Sequence, residues 1–136
     1  MRHRRVSLGA LVVCVIATTS AMAQPPRGMG GRGDRPHMRQ SVALGDSIFH
    51  GTAAGGTCFT CHGANAKGTA LAPDLTDTLW LNGDGSFPFI MRTVMHGVPR
   101  PTRYPAPMPP MGGARLTMPQ ARAVAAYVYR LSRPAR

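Results

Sequence analysis

At 136 residues the chain has room for one domain, and 16 Lys and Arg against 5 Asp and Glu give it a formal net charge of +11. A surface of that sign favours an anionic partner, but only Lys67 is a lysine, aromatics make up 6% of the chain, and no groove-reading motif occurs. Nucleic acid is therefore excluded, and an acidic protein docking face ranks first among partners.

The N-terminus has the layout of an export signal. A basic run, Arg2 to Arg5, precedes an apolar stretch from Val6 to about Ile16 and the small-residue site Ala21-Met22-Ala23. Residues 1–23 are expected to be a cleaved signal peptide, because the apolar run is shorter than the roughly 20 residues a membrane span needs. Its removal takes Arg2, Arg4 and Arg5 away and lowers the formal charge from +11 to +8. The expected location is the periplasm, soluble or peripheral to the inner membrane, with no transmembrane segment after cleavage. Cys14 leaves with the signal, so only Cys58 and Cys61 remain. A disulfide two residues apart closes too short a loop to stabilise the chain, even in an oxidising compartment.

Residues 24–40 are rich in Gly, Pro and Arg and carry no apolar periodicity, so they read as a disordered basic linker. His37 and Met38 within it read as solvated residues.

The folded domain is expected over 41–133. Ser41 to Gly51 reads as a helix with Val42, Leu44, Ile48 and Phe49 on one side and Gly45 allowing close backbone approach. Then comes a Gly-rich approach to CFTCH, residues 58–62, on a short helical turn. Lys67 to Gly85 is irregular, punctuated by Gly68, Pro73 and the turn Asn82-Gly83-Asp84-Gly85. Ser86 caps a helix running to about His96, with Pro88 in its first turn and Phe87, Ile90 and Val94 on its apolar side. From Val98 to Gly113, VPRPTRYPAPMPPMGG places six prolines in sixteen positions, a stiff strap rather than helix or central strand. Thr117 and Gln120 form a capping box for a last helix to about Leu131, with Ala121, Val124, Ala125 and Val128 at i, i+3, i+4 and i+7.

The predicted fold class is thus all-α: about three main helices, a short turn carrying the cysteines, and long loops. Such a domain buries little apolar surface for a secreted protein without disulfides, and a large apolar cofactor would supply the missing volume.

CFTCH is consistent with three cargoes. A structural zinc needs four ligands, and beyond Cys58, Cys61 and His62 only histidines without ligand spacing remain, His50 and His96 among them. A thioredoxin-like dithiol follows a strand in an α/β pattern, and none precedes it here. CxxCH is itself the attachment signal for c-type haem: on one helical turn the sulfurs sit at i and i+3, facing two vinyl groups, and the adjacent imidazole points at the iron. Covalent haem is the leading expectation, with thiol redox chemistry behind it.

The ordered set of Gly45 and Phe49 on a first helix, CFTCHG, LAPDLTD, and MPPMGG followed by RAVAAYVYRL resembles the class I cytochromes c from Ser41 to Ser132. The resemblance implies one covalently bound haem c with Cys58 and Cys61 as thioether anchors and His62 as proximal iron ligand. It also implies first and last helices crossing near Gly45 and Tyr127, and a distal methionine from the loop before the last helix. Met91, Met95, Met108, Met111 and Met118 are candidates; Met91 and Met95 suit packing, Met118 opens the last helix, and Met108 is favoured over its rival Met111. Pro73 would accept a hydrogen bond from the proximal imidazole, and Trp80 would pack against the haem or donate to a propionate.

With His/Met ligation the iron has no open position, so the expected role is a single-haem electron carrier rather than an enzyme. Its partners would be redox proteins, including a membrane respiratory complex or a dehydrogenase, met near the cysteines with Arg92, Arg100 and Arg103 as docking charges. The alternatives are a dedicated subunit of a dehydrogenase or oxidase, or a gas sensor or haem enzyme if the methionine is not a ligand.

Overall fold

The computed structural model of the protein describes residues 34–133, so the signal expected over 1–23 and most of the expected linker lie outside the described residues. In chain order the elements are α1 (Asp34–Phe49), α2 (Cys58–His62), α3 (Phe87–His96), a 3-10 turn (Pro110–Gly113) and α4 (Met118–Leu131). Among the described residues there is no strand, and the sole β-type pairing is an antiparallel bridge between Val98 and Met108. The domain is all-helical, as its sequence predicts.

Two details of α1 differ from expectation. The helix starts at Asp34, inside the segment 24–40 expected as a disordered linker. Once a helix is nucleated, each added residue gains one hydrogen bond. Pro36 lies in the first turn, where a missing amide hydrogen costs nothing, and residues 36–40 are exposed, so they need no apolar periodicity. The second difference is Leu44, expected on the buried side and found 41% exposed. The contact line of α1 runs through Gly45, Ile48 and Phe49, and one residue along a helix is a rotation of about 100° away from it.

α1 packs most extensively on α4. Gly45 makes this possible: a Cβ there would collide with the Ala123 carbonyl and approach Tyr127 Cβ to 2.8 Å. The Phe49 and Tyr127 rings meet beside the crossing with centroids 5.4 Å apart. Along its length α4 buries Ala121, Ala123, Val124, Ala125, Ala126 and Val128. Its start is held by the Thr117 amide donating to Gln120 Oε1 at 2.8 Å.

α3 begins where Ser86 Oγ accepts from the Phe89 amide, with Pro88 in the first turn, and buries Ile90 and Val94 against α4. Phe87 stands edge-on to Tyr129 at 6.0 Å, and the Arg122 guanidinium lies over the Phe87 ring. The core formed by Ile48, Ile90, Val94, Leu116, Ala121, Val124, Ala125 and Val128 is small, and it borders a cleft.

Candidate functional site

The cleft holds about 150 Å³ on the measure by which one water needs roughly 10–15 Å³. One wall carries Cys58, Cys61 and His62 from α2. The 71–75 loop, Trp80 and Phe89 form the next, the proline strap with Met108 and Met111 a third, and Val124 and Val128 of α4 the floor.

His62 is 8% exposed, and its Nδ1 donates to the Pro73 carbonyl at 2.9 Å. Burial pushes its pKa down, and the Pro73 bond pulls the other way. The side chain is thus held as a neutral imidazole with Nε2 free, the form that binds a metal. The loop that presents Pro73 is tied to α2 by Gly68 N to His62 O at 2.8 Å and Thr69 Oγ1 to Cys61 O at 2.6 Å, and closed by Leu75 N to Ala66 O at 2.8 Å. Gly68 makes the turn with φ +78°, and a side chain there would press on Pro73 and Asp74.

The cysteines sit half-buried on α2. Burial is the main influence on the Cys58 thiol and raises its pKa, with backbone hydrogen bonds opposing. A dithiol catalyst needs the opposite, a thiolate stabilised near neutral pH.

The two methionines differ in setting. Met108 is held by reciprocal backbone bonds with Val98, Met108 N to Val98 O at 3.0 Å and the return bond at 2.8 Å. Met111 has a left-handed backbone, φ 54°, and packs on the core cluster. The next residue, Gly112, lies against the cysteine end of the cleft: Thr57 Oγ1 donates to its carbonyl at 2.8 Å, and a Cβ on it would touch Cys58 Sγ at 3.7 Å. Met91, Met95 and Met118 do not line the cleft; Met91 packs on the core and Met118 is 53% exposed.

Trp80 lines the cleft and meets Phe89 edge-on at 5.9 Å. Of the arginines expected to dock a partner, Arg92 and Arg100 are exposed away from the cleft lining, whereas Arg103 belongs to that lining. The sequence did not single out the apolar walls Leu71, Leu75 and Leu79, the strap residue Tyr104, or the bond between Thr57 and Gly112. LAPDLTD contained Leu71 and Leu75 but not Leu79, and spacing along an irregular loop says nothing of which side chains line a cleft.

The donor set suits one group in particular. Two thiols three residues apart on one turn, an oriented imidazole and two methionines in the lining of the same apolar cleft fit a covalently bound haem c.

Comparison with known proteins agrees. The Cytochrome c family model matches residues 42–132, and the chain belongs to that family, whose members carry covalently bound haem c. Similar curated proteins are the Cbb3-type cytochrome c oxidase subunit CcoP of Rubrivivax gelatinosus, 37% identical over 93 residues, and FixP of Rhizobium meliloti (strain 1021), 38% identical over 82 residues. A third is FixP of Sinorhizobium medicae (strain WSM419), also 38% identical over 82 residues. The matches cover 68% of this chain for CcoP and 57% for each FixP, and 27%, 24% and 24% of the relatives, so the chain matches about a quarter of their length. No solved structure matches it significantly.

Proposed function

We propose that the protein transfers one electron at a time through a single haem c, with Cys58 and Cys61 as thioether anchors, His62 as proximal ligand and Met108 as distal ligand. The observation that carries this reading is the convergence of Cys58, Cys61, His62 and Met108 on one apolar cleft, with the His62 ring already oriented by Pro73. When bound, the haem supplies a one-electron ferric/ferrous couple. The protein's part is to fix the two axial donors and exclude water.

Pro73 holds the imidazole plane and, by accepting from Nδ1, makes Nε2 a stronger donor. Met108 is preferred over Met111 because the bridge to Val98 fixes its backbone inside the strap, whereas Met111 adjoins Gly112 at the cysteine end, where thioether bonds rather than an axial ligand are required. A thioether donor stabilises ferrous iron and raises the potential. Trp80 is assigned to the haem's surroundings.

We place this activity in the periplasm, where c-type haem attachment and the export signal agree. Among the described residues no helix is long and apolar enough to cross a membrane. The similarity to CcoP and FixP favours work beside or within a terminal oxidase over a role with a dehydrogenase.

Absorption spectra of the purified protein, oxidised and reduced, with and without carbon monoxide, test the reading. The expected results are a pyridine haemochrome of haem c and a ferrous spectrum that carbon monoxide leaves unchanged. No haemochrome defeats the assignment, and a carbon monoxide shift turns it toward gas sensing or haem catalysis.

A further inference from the structure

The end of α4 carries an arrangement of side chains that the chemistry of the cleft does not use. The Arg133 guanidinium carbon lies 3.5 Å from the centre of the Tyr129 ring. From that stacked position its Nη1 donates to the Tyr129 carbonyl and to Ser132 Oγ, both at 3.3 Å, and its Nη2 donates to the Gly85 carbonyl at 3.5 Å, across 48 residues of chain. Tyr129 in turn meets Phe87 edge-on at 6.0 Å, and the Arg122 guanidinium lies 5.3 Å above Phe87. Arg122, Phe87, Tyr129 and Arg133 thus form a row that joins the start of α3 to α4, and none of them lines the cleft.

The turn that this row holds is the back of a cleft wall. Gly85 is buried with φ +65°, and a Cβ on it would collide with Trp80 Nε1; a Cβ on Gly83 would collide with the Phe89 ring. Trp80 and Phe89 meet edge-on at 5.9 Å, and both line the cleft. Within the turn the Ser86 amide donates to Asp84 Oδ1 at 2.9 Å, a local bond that does not tie the turn to the rest of the domain. Residues 81–84 are exposed, and exposed loop backbone of this kind opens at low free energy unless something else secures it.

We propose that Arg133 is a positioning residue for Trp80: spread on Tyr129 and bonded to the Gly85 carbonyl, it latches the 83–86 turn to α4 and keeps the Trp80 and Phe89 wall seated on the cleft. The proposal depends on that wall and not on the group the cleft holds, so it stands or fails apart from the haem reading. A planar guanidinium stacks on a ring through its face while its edge donates to several acceptors at once, which a lysine ammonium does not do. With the latch closed, water is kept from the apolar cleft at this wall, and solvent access is one of the controls on the electronics of a bound group.

Trp80 is the chain's one tryptophan, so its indole N–H gives a single proton resonance. The test is solvent exchange of that proton, followed by NMR on the reduced purified protein, for wild type, Arg133→Gln, Tyr129→Leu, the double variant, Tyr129→Phe and the charge control Arg130→Gln, an exposed position on the same helix. Exchange should be about two- to fivefold faster in Arg133→Gln and in Tyr129→Leu, the size of an exposed guanidinium–ring contact. The double variant should be no faster than the faster single one, because the two groups act together. Tyr129→Phe, which keeps the ring, and Arg130→Gln should match wild type, and the indole resonance of Arg133→Gln should move as the ring shifts against Phe89. Wild-type exchange and resonance position in Arg133→Gln overturn the latch, as do additive effects in the double variant or an equal effect of Arg130→Gln. A lowered Tm with both indole readouts unchanged makes Arg133 a plain helix-end contact and likewise overturns it. Should Arg133→Gln yield no folded protein, Tyr129→Leu decides: faster indole exchange sustains the latch and wild-type exchange overturns it.

Discussion

His62 Nδ1 lies 2.9 Å from the Pro73 carbonyl oxygen, a bond across eleven residues that depends on the turn at Gly68. A methyl group on Gly68 would stand 2.8 Å from the Pro73 carbonyl carbon and 2.6 Å from the Asp74 amide nitrogen, with φ at +78°. Gly68→Ala should cost about 1–2 kcal/mol for the backbone conformation alone, roughly 4–16 °C in Tm for a domain of this size. By weakening the bond to Pro73 it should also make His62 a poorer donor and raise the reduction potential. Calorimetry and redox titration check the two effects; an unchanged potential in a destabilised variant would show that the bond does not tune the iron.

Met108→Ala should abolish the sulfur-to-iron charge-transfer band and let carbon monoxide bind the ferrous form. Met111→Ala should keep the band and lose stability, about 2 kcal/mol for a half-buried methionine. The opposite pattern would move the axial ligand three residues along the chain.

Gly45→Ala sets two effects against each other. In an open helix the substitution gains about 1 kcal/mol. Here the added Cβ meets the Ala123 carbonyl and Tyr127 Cβ, and forcing the helices apart costs about 3 kcal/mol. The expected outcome in urea unfolding is net loss, and a stabilised variant would contradict the close crossing.

Both ring nitrogens of His50 face carbonyl oxygens, Nδ1 to Asp46 at 3.0 Å and Nε2 to Ala64 at 2.7 Å. Only the protonated ring donates to both; the bond to the Ala64 carbonyl and then that to the Asp46 carbonyl, with a lesser part from the Asp46 carboxylate, raise its pKa, and burial opposes them. The other titratable neighbour, Tyr127, has its own pKa pushed up to about 12 by burial and Asp46, so its phenol stays neutral. A raised folded pKa means that the stabilisation is fully present below the unfolded value near 6.5 and is lost as pH rises through the folded value. His50→Gln should therefore lower Tm more at pH 5.5 than at pH 8.5. Equal losses at both would remove the charge from the explanation.

The parts of the fold that the sequence made legible are those governed by local chemistry. Ser86 with Pro88, and Thr117 with Gln120, each combine a cap with a first-turn preference, and α3 and α4 begin where those residues stand. CFTCH narrows its cargo to a few groups, because the spacing of two cysteines and a histidine on one turn suits only some of them. Legibility fails where tertiary contact decides. Leu44 and Gly45 are adjacent, and only the approach of Ala123 determines which of them faces inward. In the same way, VPRPTRYPAPMPP shows that neither helix nor central strand forms, but not that Val98 and Met108 pair or that Arg103 turns to the cleft. The start of α1 at Asp34 lacked a signal because an exposed helical extension needs no apolar pattern.

The bridge between Val98 and Met108 also has a consequence for the domain's adaptability. It closes residues 99–107 into a loop with a fixed base, so the chain beyond Met108 does not register how many residues the loop contains. Positions such as Arg100, which does not line the cleft, can therefore vary within the loop while the wall that Pro101 to Pro107 contribute and the methionine keep their places.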